Sequence, residues 1–99
     1  MSDLPLLDPT LHQPVRTRLA VLLASGPHSF SELKAELQVT DGNLDAHLRK
    51  FSGAGYLRSR FVHGGTRPHT LYSLSASGRK AWRDYVRAIR ELIGQQKNR

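Results

Sequence analysis

Apolar residues along this chain recur first at helical spacing, then in alternation, then at helical spacing again, and the order of those changes predicts the fold. From Asp8-Pro9 onward, Leu11, Val15, Leu19 and Leu22 share one helical face, and Leu23 widens the stripe. Pro14 has no amide hydrogen to lose in a first turn, so the pattern predicts a break near residues 12–13 and a main helix over 14–24. Gly26-Pro27 ends it. Ser29-Phe30-Ser31-Glu32 has the form of a capping box, in which the serine hydroxyl accepts an amide hydrogen and the glutamate reaches back. A short helix over 30–37 follows, with Leu33 and Leu37 inward. Gln38-Val39-Thr40 is long enough only to turn the chain. Thr40 is then the N-cap of a helix reaching to about residue 52, whose Leu44, Leu48 and Phe51 lie at i, i+4 and i+7, and Gly53 and Gly55 close it.

Past that point the period changes. Residues 57–63 and 70–74 are rich in aromatic and branched side chains and flank Gly64-Gly65-Thr66-Arg67-Pro68, which predicts a β-hairpin. Alternation places Leu57, Ser59 and Phe61 on one face and Arg58 and Arg60 on the other, with Tyr72 and Leu74 together on the return strand. One face packs, and the other meets solvent or a partner. Ser75 caps a last helix carrying Trp82, Tyr85, Val86, Ile89 and Ile93 at i, i+3, i+4, i+7 and i+11, with Leu92 beside them and Arg79, Lys80, Arg83, Arg87 and Arg90 on the polar side. Gly94 is expected to end this helix, leaving one domain over residues 8–93 and flexible tails over 1–7 and 94–99.

The fold class is therefore mainly α with a small β-hairpin, and its two short helices joined by a three-residue turn have the helix-turn-helix pattern. A chain of 99 residues supports one compact core. No apolar run approaches a membrane span, no N-terminal stretch has the form of a secretory signal, and a cytoplasmic protein with no membrane association is expected. With no cysteine, disulfides and thiolate metal sites are excluded. The five histidines show no metal-ligand spacing, no cofactor motif is present, and without a nucleophile elbow, phosphate loop or HExxH motif the chain is not expected to be an enzyme. The net charge of +7 is divided unevenly: residues 1–45 carry three Lys or Arg against six acids, whereas residues 46–99 carry twelve against Asp84 and Glu91 alone. A basic half that starts inside the second helix of the pair and runs through hairpin and last helix attracts a polyanion and releases its counterions. Its plainer reading is a solubilising surface, or attraction to an anionic membrane.

Two motifs sharpen this. Thr40-Asp41-Gly42-Asn43-Leu44 followed by His47-Leu48-Arg49-Lys50 and Gly55-Tyr56-Leu57, and then Pro68-x-Thr70-x-Tyr72-x-Leu74-Ser75-x-x-Gly78-Arg79, resemble the small winged-helix transcriptional regulators related to the MarR and ArsR families. The resemblance spans about residues 8–93. It implies a winged helix-turn-helix with an additional C-terminal helix, dimerisation through terminal helices, and control of a promoter. Carried over by position, it puts Asp41, Gly42, Asn43, Asp45, Ala46 and Arg49 toward the DNA groove, with Arg67 near the wing tip reaching the minor groove or backbone. The chain departs from metal-sensing ArsR-type regulators in lacking cysteine.

The residues expected to face DNA, from this resemblance together with the basic charge beside it, are Thr40, Asp41, Gly42, Asn43, Asp45, Ala46, Arg49, Lys50, Arg58, Arg60 and Arg67. Asn43 can donate and accept together at an adenine edge, or else bond within its own first turn. Asp41 and Asp45 repel phosphates; Asp41 favours the helix dipole, and either carboxylate can accept from a cytosine amino group. Arg49 and Lys50 are phosphate clamps or a solvated face, while Arg58, Arg60, Arg67 and His69 surround the wing, where arginine suits phosphate or a narrow minor groove. Trp82, Tyr85, Val86, Ile89, Leu92 and Ile93 are the expected homodimer interface, unless the first helix of the same chain covers them. Trp82 and Tyr85 leave room for a small-molecule effector without indicating one. The expected function is sequence-specific binding of double-stranded DNA as a homodimeric regulator; the alternatives are a winged helix used for protein contact and a basic RNA-associated protein.

Overall fold

The computed structural model describes residues 6–65 and 67–97. Three helices come first: α1 (Pro14–Ala24), α2 (Phe30–Leu37) and α3 (Asp41–Gly53). Strands β2 (Leu57–Val62) and β3 (His69–Leu74) form the hairpin, and α4 (Ala76–Lys97) closes the chain. A further strand, β1 (His28–Ser29), lies between α1 and α2 and pairs antiparallel with β3, giving a three-stranded sheet in the order β1-β3-β2. This is the winged helix expected from the sequence, with one strand added. Two residues are too few to show alternation, so the periodicity of the sequence has no signal for β1.

The expected caps form. Ser29 Oγ accepts from Glu32 N at 3.1 Å and the Glu32 carboxylate accepts from Ser29 N at 2.9 Å. Thr40 Oγ1 accepts from Asn43 N at 3.1 Å. Gln13, not the proline that follows it, caps α1 through its side-chain oxygen, which accepts from Arg16 N at 2.8 Å. The turn between α2 and α3 is made without glycine: Gln38 takes the left-handed conformation at φ 54° and its N–H donates to Lys34 O at 2.8 Å.

Leu11, Leu19, Leu23, Leu33, Leu37, Leu44, Leu48, Phe51 and Leu74 form one buried cluster, with Tyr85 at its edge. Each helix of the first three contributes the apolar stripe its spacing predicted, and Leu74 brings the sheet onto them. The N-terminal segment is tied down at Asp8, whose carboxylate accepts from Thr10 N at 2.8 Å and from the Tyr56 hydroxyl. His12 Nδ1 lies 2.9 Å from the Tyr85 hydroxyl, linking the same segment to α4. The segment over residues 1–7 was expected to be loose; Leu7 packs against the core, Leu6 is exposed, and residues 1–5 lie outside the described residues, as do Thr66, Asn98 and Arg99.

Two expectations are corrected. Gly94 does not end the last helix, which runs through it to Lys97. One glycine lowers helix stability by only about 1 kcal/mol, too little to stop a helix held by its apolar face. Phe61 was placed on the packing face of the hairpin, and alternation does put it with Leu57 and Ser59, but its side of the hairpin has outrun the core and it is 56% exposed. Its ring meets that of His63 edge-on at 4.7 Å.

The start of α4 is locked onto the turn after α3. Gly55, at φ 81°, makes that turn. Tyr56 O accepts from Ser75 N at 2.9 Å, Ser75 Oγ donates to Gly55 O at 2.6 Å, and the same hydroxyl accepts from Gly78 N at 2.9 Å. Gly78 then lies directly on the Tyr56 peptide, where no side chain fits: a Cβ would sit 2.3 Å from Tyr56 O.

Candidate nucleic-acid interface

Helix α3 presents its surface because its apolar residues all point one way. With Leu44, Leu48 and Phe51 buried, the opposite side carries Gly42, Ala46, Lys50 and Gly53 as its outermost line, flanked by Asn43 and by Arg49. All six are exposed. The small residues let another surface come close to the backbone, and the polar ones stand at the margins. Thr40 already satisfies the Asn43 backbone N–H, and the Asn43 side-chain amide makes no hydrogen bond to a described residue. It is thus free to donate and accept together.

The acidic residues are occupied. Asp41 Oδ1 lies 2.9 Å from Lys34 Nζ, and Asp45, half-buried, is ion-paired with Arg49 one turn later. Lys34, on α2, had no place in the sequence reading. It lies seven positions before Asp41 across a left-handed turn, so helix periodicity could not pair the two. The contact between Arg16 and His47 was also missed, although His47 stands in the motif that carries the resemblance. Arg16 Nε donates to Thr10 O at 2.6 Å and its Nη1 stands 3.3 Å from His47 Nδ1, linking α1 to α3. Burial, and then the Arg16 charge, hold the His47 imidazole below its ordinary pKa. Neutral, it can accept from Arg16.

The wing carries the second set of cations. In the β2–β3 register Arg58 stands opposite Ser73 and Arg60 opposite Leu71, and both are exposed. Arg67 and His69 are exposed at the loop and at the start of β3, with His69 Nδ1 2.8 Å from Arg67 O. The chain turns at Gly65, φ 82°, where the backbone carries no side chain. Residues 46–83 contain no acid, so neither the wing nor the second half of α3 carries a negative side chain of its own.

On α4 the expected interface residues divide. Tyr85 is buried within the chain and stacks on Trp82, with ring centroids 5.6 Å apart. Trp82, Val86, Ile89 and Leu92 are half-buried, and Ile93 is 53% exposed. No helix among the described residues is long and apolar enough to cross a membrane, and no group of three or more His, Asp or Glu among them is placed to hold a metal.

The comparison with known proteins agrees with this arrangement. A family model described as a winged helix DNA-binding domain matches residues 15–93. The chain is 32% identical over 79 residues to an uncharacterised protein of Methanocaldococcus jannaschii, MJ0432, covering 79% of this chain and 86% of that protein. Its fold resembles that of a transcriptional regulator homologue from Pyrococcus horikoshii with a TM-score of 0.78 and 26% identity, covering 88% and 87% of the two chains. A MarR-family structure from Enterococcus faecalis has the same fold, with a TM-score of 0.75 at 21% identity over 90% of this chain and 83% of that one. With the family match covering most of the chain, and with the helix-turn-helix, the hairpin wing and the basic surface in place, this protein belongs to the winged helix DNA-binding domain family.

Proposed function

We propose that this chain is a transcriptional regulator that binds double-stranded DNA in a sequence-specific way as a homodimer, with α3 in the major groove and the wing on flanking backbone or minor groove. The observation that carries the reading is the outward line of α3: small residues at Gly42 and Ala46, and an amide at Asn43 and a cation at Lys50 that have no side-chain partner among the described residues, beside a hairpin with three exposed arginines. An α-helix of this kind fits a major groove about 12 Å wide, and an asparagine amide matches the N6/N7 pair of adenine. Arg58, Arg60 and Arg67 supply phosphate contacts that fix register without reading sequence. Base contact at Asn43 and groove-side placement of Asp41, Asp45 and Arg49 belong to this proposal. So does the dimer, which is supported by the continuous line of Trp82, Val86, Ile89 and Ile93 and by the exposure of Ile93.

Selection of bound fragments from random duplex DNA tests the whole reading. The expected result is an enriched pseudo-palindrome whose half-sites are about one helical turn, or a multiple of it, apart. Recovery of no common motif, or equal affinity for duplex RNA and for the best DNA, overturns it. Protein contact or RNA association would then take its place.

A further inference from the structure

The stretch from α3 to the end of the wing, residues 41–74, contains only two acids, Asp41 and Asp45, and each is paired with a cation. Asp41 engages Lys34 from α2 at 2.9 Å, and Asp45 engages Arg49. Lys50, Arg58, Arg60 and Arg67 make no ion pair among the described residues. The basic surface is therefore split into cations that meet a phosphate directly and two that must first leave a carboxylate. Surface pairs of this kind are weak, about 0.2–1 kcal/mol, so they are exchangeable. Their effect on a polyanion is nonetheless specific, because the carboxylate stays behind after its cation has moved and repels any phosphate nearby.

Resting on the reading of α3 as the DNA-reading helix, we propose that Asp41 and Asp45 withhold Lys34 and Arg49 from random duplex DNA, and that Asp45, the one whose pair opens at the cognate site, thereby sets sequence discrimination. On arbitrary sequence the carboxylates face acceptors and phosphates, the pairs stay closed and two phosphate contacts are forgone. At the cognate site a cytosine amino group in the major groove donates to Asp45, which frees Arg49 for the backbone. Asp45 is the better placed of the two for this, since it lies on the flank of the outward face while Asp41 lies at the first turn.

The experiment compares Asp45→Asn, Asp41→Asn and Asp84→Asn with the unmodified chain on two probes, the selected operator duplex and a random-sequence duplex of equal length. Asp84 lies on α4, pairs with Lys80 at 2.9 Å and with Arg87 at 3.5 Å, and its removal changes the net charge by the same single unit. The expected result is that Asp45→Asn and Asp41→Asn each bind random duplex about 1.4- to 5-fold more tightly, the range that releasing a surface pair gives. The salt slope on that probe steepens by about 0.9 for each. Asp45→Asn gains nothing on the operator, so its discrimination narrows, and Asp84→Asn matches the unmodified chain on both probes. Unchanged binding of random duplex, an equal gain on operator and random DNA by Asp45→Asn, or the same gain from Asp84→Asn overturns the inference. If the unmodified chain binds neither duplex, the proposed function falls and takes this inference with it. If it selects an operator while the variants behave as it does, only this inference falls.

Discussion

Substituting alanine at two glycines of the same helix should have opposite effects, and the difference follows from what each position touches. At Gly78 a new Cβ would lie 2.3 Å from Tyr56 O, 3.0 Å from Tyr56 C and 3.1 Å from Tyr56 Cα, against 3.4 Å for the start of ordinary contact. These are backbone atoms that cannot rotate away, so the start of α4 must back off by roughly an ångström. That movement strains the bonds from Ser75 N to Tyr56 O, 2.9 Å, and from Ser75 Oγ to Gly55 O, 2.6 Å. Overpacking of this kind costs about 1–3 kcal/mol. The gain in helix propensity from glycine to alanine is at most about 1 kcal/mol and is smaller in a first turn. Gly78 does not need glycine for its backbone conformation, so nothing else enters. We therefore expect Gly78→Ala to lose about 1–2 kcal/mol, a fall in Tm of roughly 4–16 °C for a domain of this size. At Gly94 nothing lies within 4 Å of the added Cβ, and Gly94→Ala should gain a few tenths to about 1 kcal/mol. Thermal and urea unfolding followed by circular dichroism, at one fixed chain concentration because association shifts apparent stability, measures both. A Gly78→Ala protein as stable as the unmodified chain, or two substitutions of the same sign, would refute the packing argument.

Duplex binding should weaken steeply with salt, by about 0.9 in log–log slope per phosphate neutralised; a flat titration by fluorescence anisotropy would remove the electrostatic basis of the interface. Asn43→Ala should cost about 1–3 kcal/mol on the operator and little on random duplex, whereas Arg67→Ala should weaken both alike, and equal losses for Asn43→Ala would make that residue structural. Replacing Ile89 and Ile93 together with glutamate should give a folded monomer with much weaker operator binding, whereas sedimentation of the unmodified chain as a monomer at high micromolar concentration would count against the dimer. Tyr56 donates to the Asp8 carboxylate, and that hydrogen bond, with burial and the Asp8 charge, raises its pKa to about 12. Its neutral form is bound in the fold, so the contribution is complete below the unfolded value near pH 10 and is lost as pH rises toward 12. The unmodified chain should therefore lose stability over that window relative to Tyr56→Phe, and parallel stability curves for the two proteins would disprove the assignment.

The helices were legible in the sequence because each of their caps and stripes is local. Ser29 and Glu32, Thr40, and the leucines of α1 to α3 act within a few residues of one another, so spacing alone places them. What was not legible depends on distant partners. The β1 strand exists only because β3 returns beside it, and Phe61 is exposed only because the hairpin extends past the core. The same holds for the site. The outward line of α3 follows from the positions of Leu44, Leu48 and Phe51, but the Lys34–Asp41 and Arg16–His47 contacts cross between elements and leave no periodic trace. Gly78 was visible as part of a motif; its reason, the Tyr56 peptide beneath it, was not.

The short strand also has a consequence for how the wing can vary. Ser29 is both the last residue of β1, standing opposite Leu71 of β3, and the cap on which α2 begins. On its other side β3 is held to β2 in a register fixed by six residue pairs. A slip of one residue along β3 would turn its side chains to the wrong face and pull against the cap at the same time, so the return strand is pinned from both edges. The loop from His63 to Pro68 is pinned by neither. Chain length can be added or removed there at an entropic cost that grows only slowly with length, while the helices keep their frame. The reach of the wing is thus a dimension that can drift or be engineered separately from α3, and chimeras that exchange only this loop should change how far along a duplex the protein extends without changing what α3 presents.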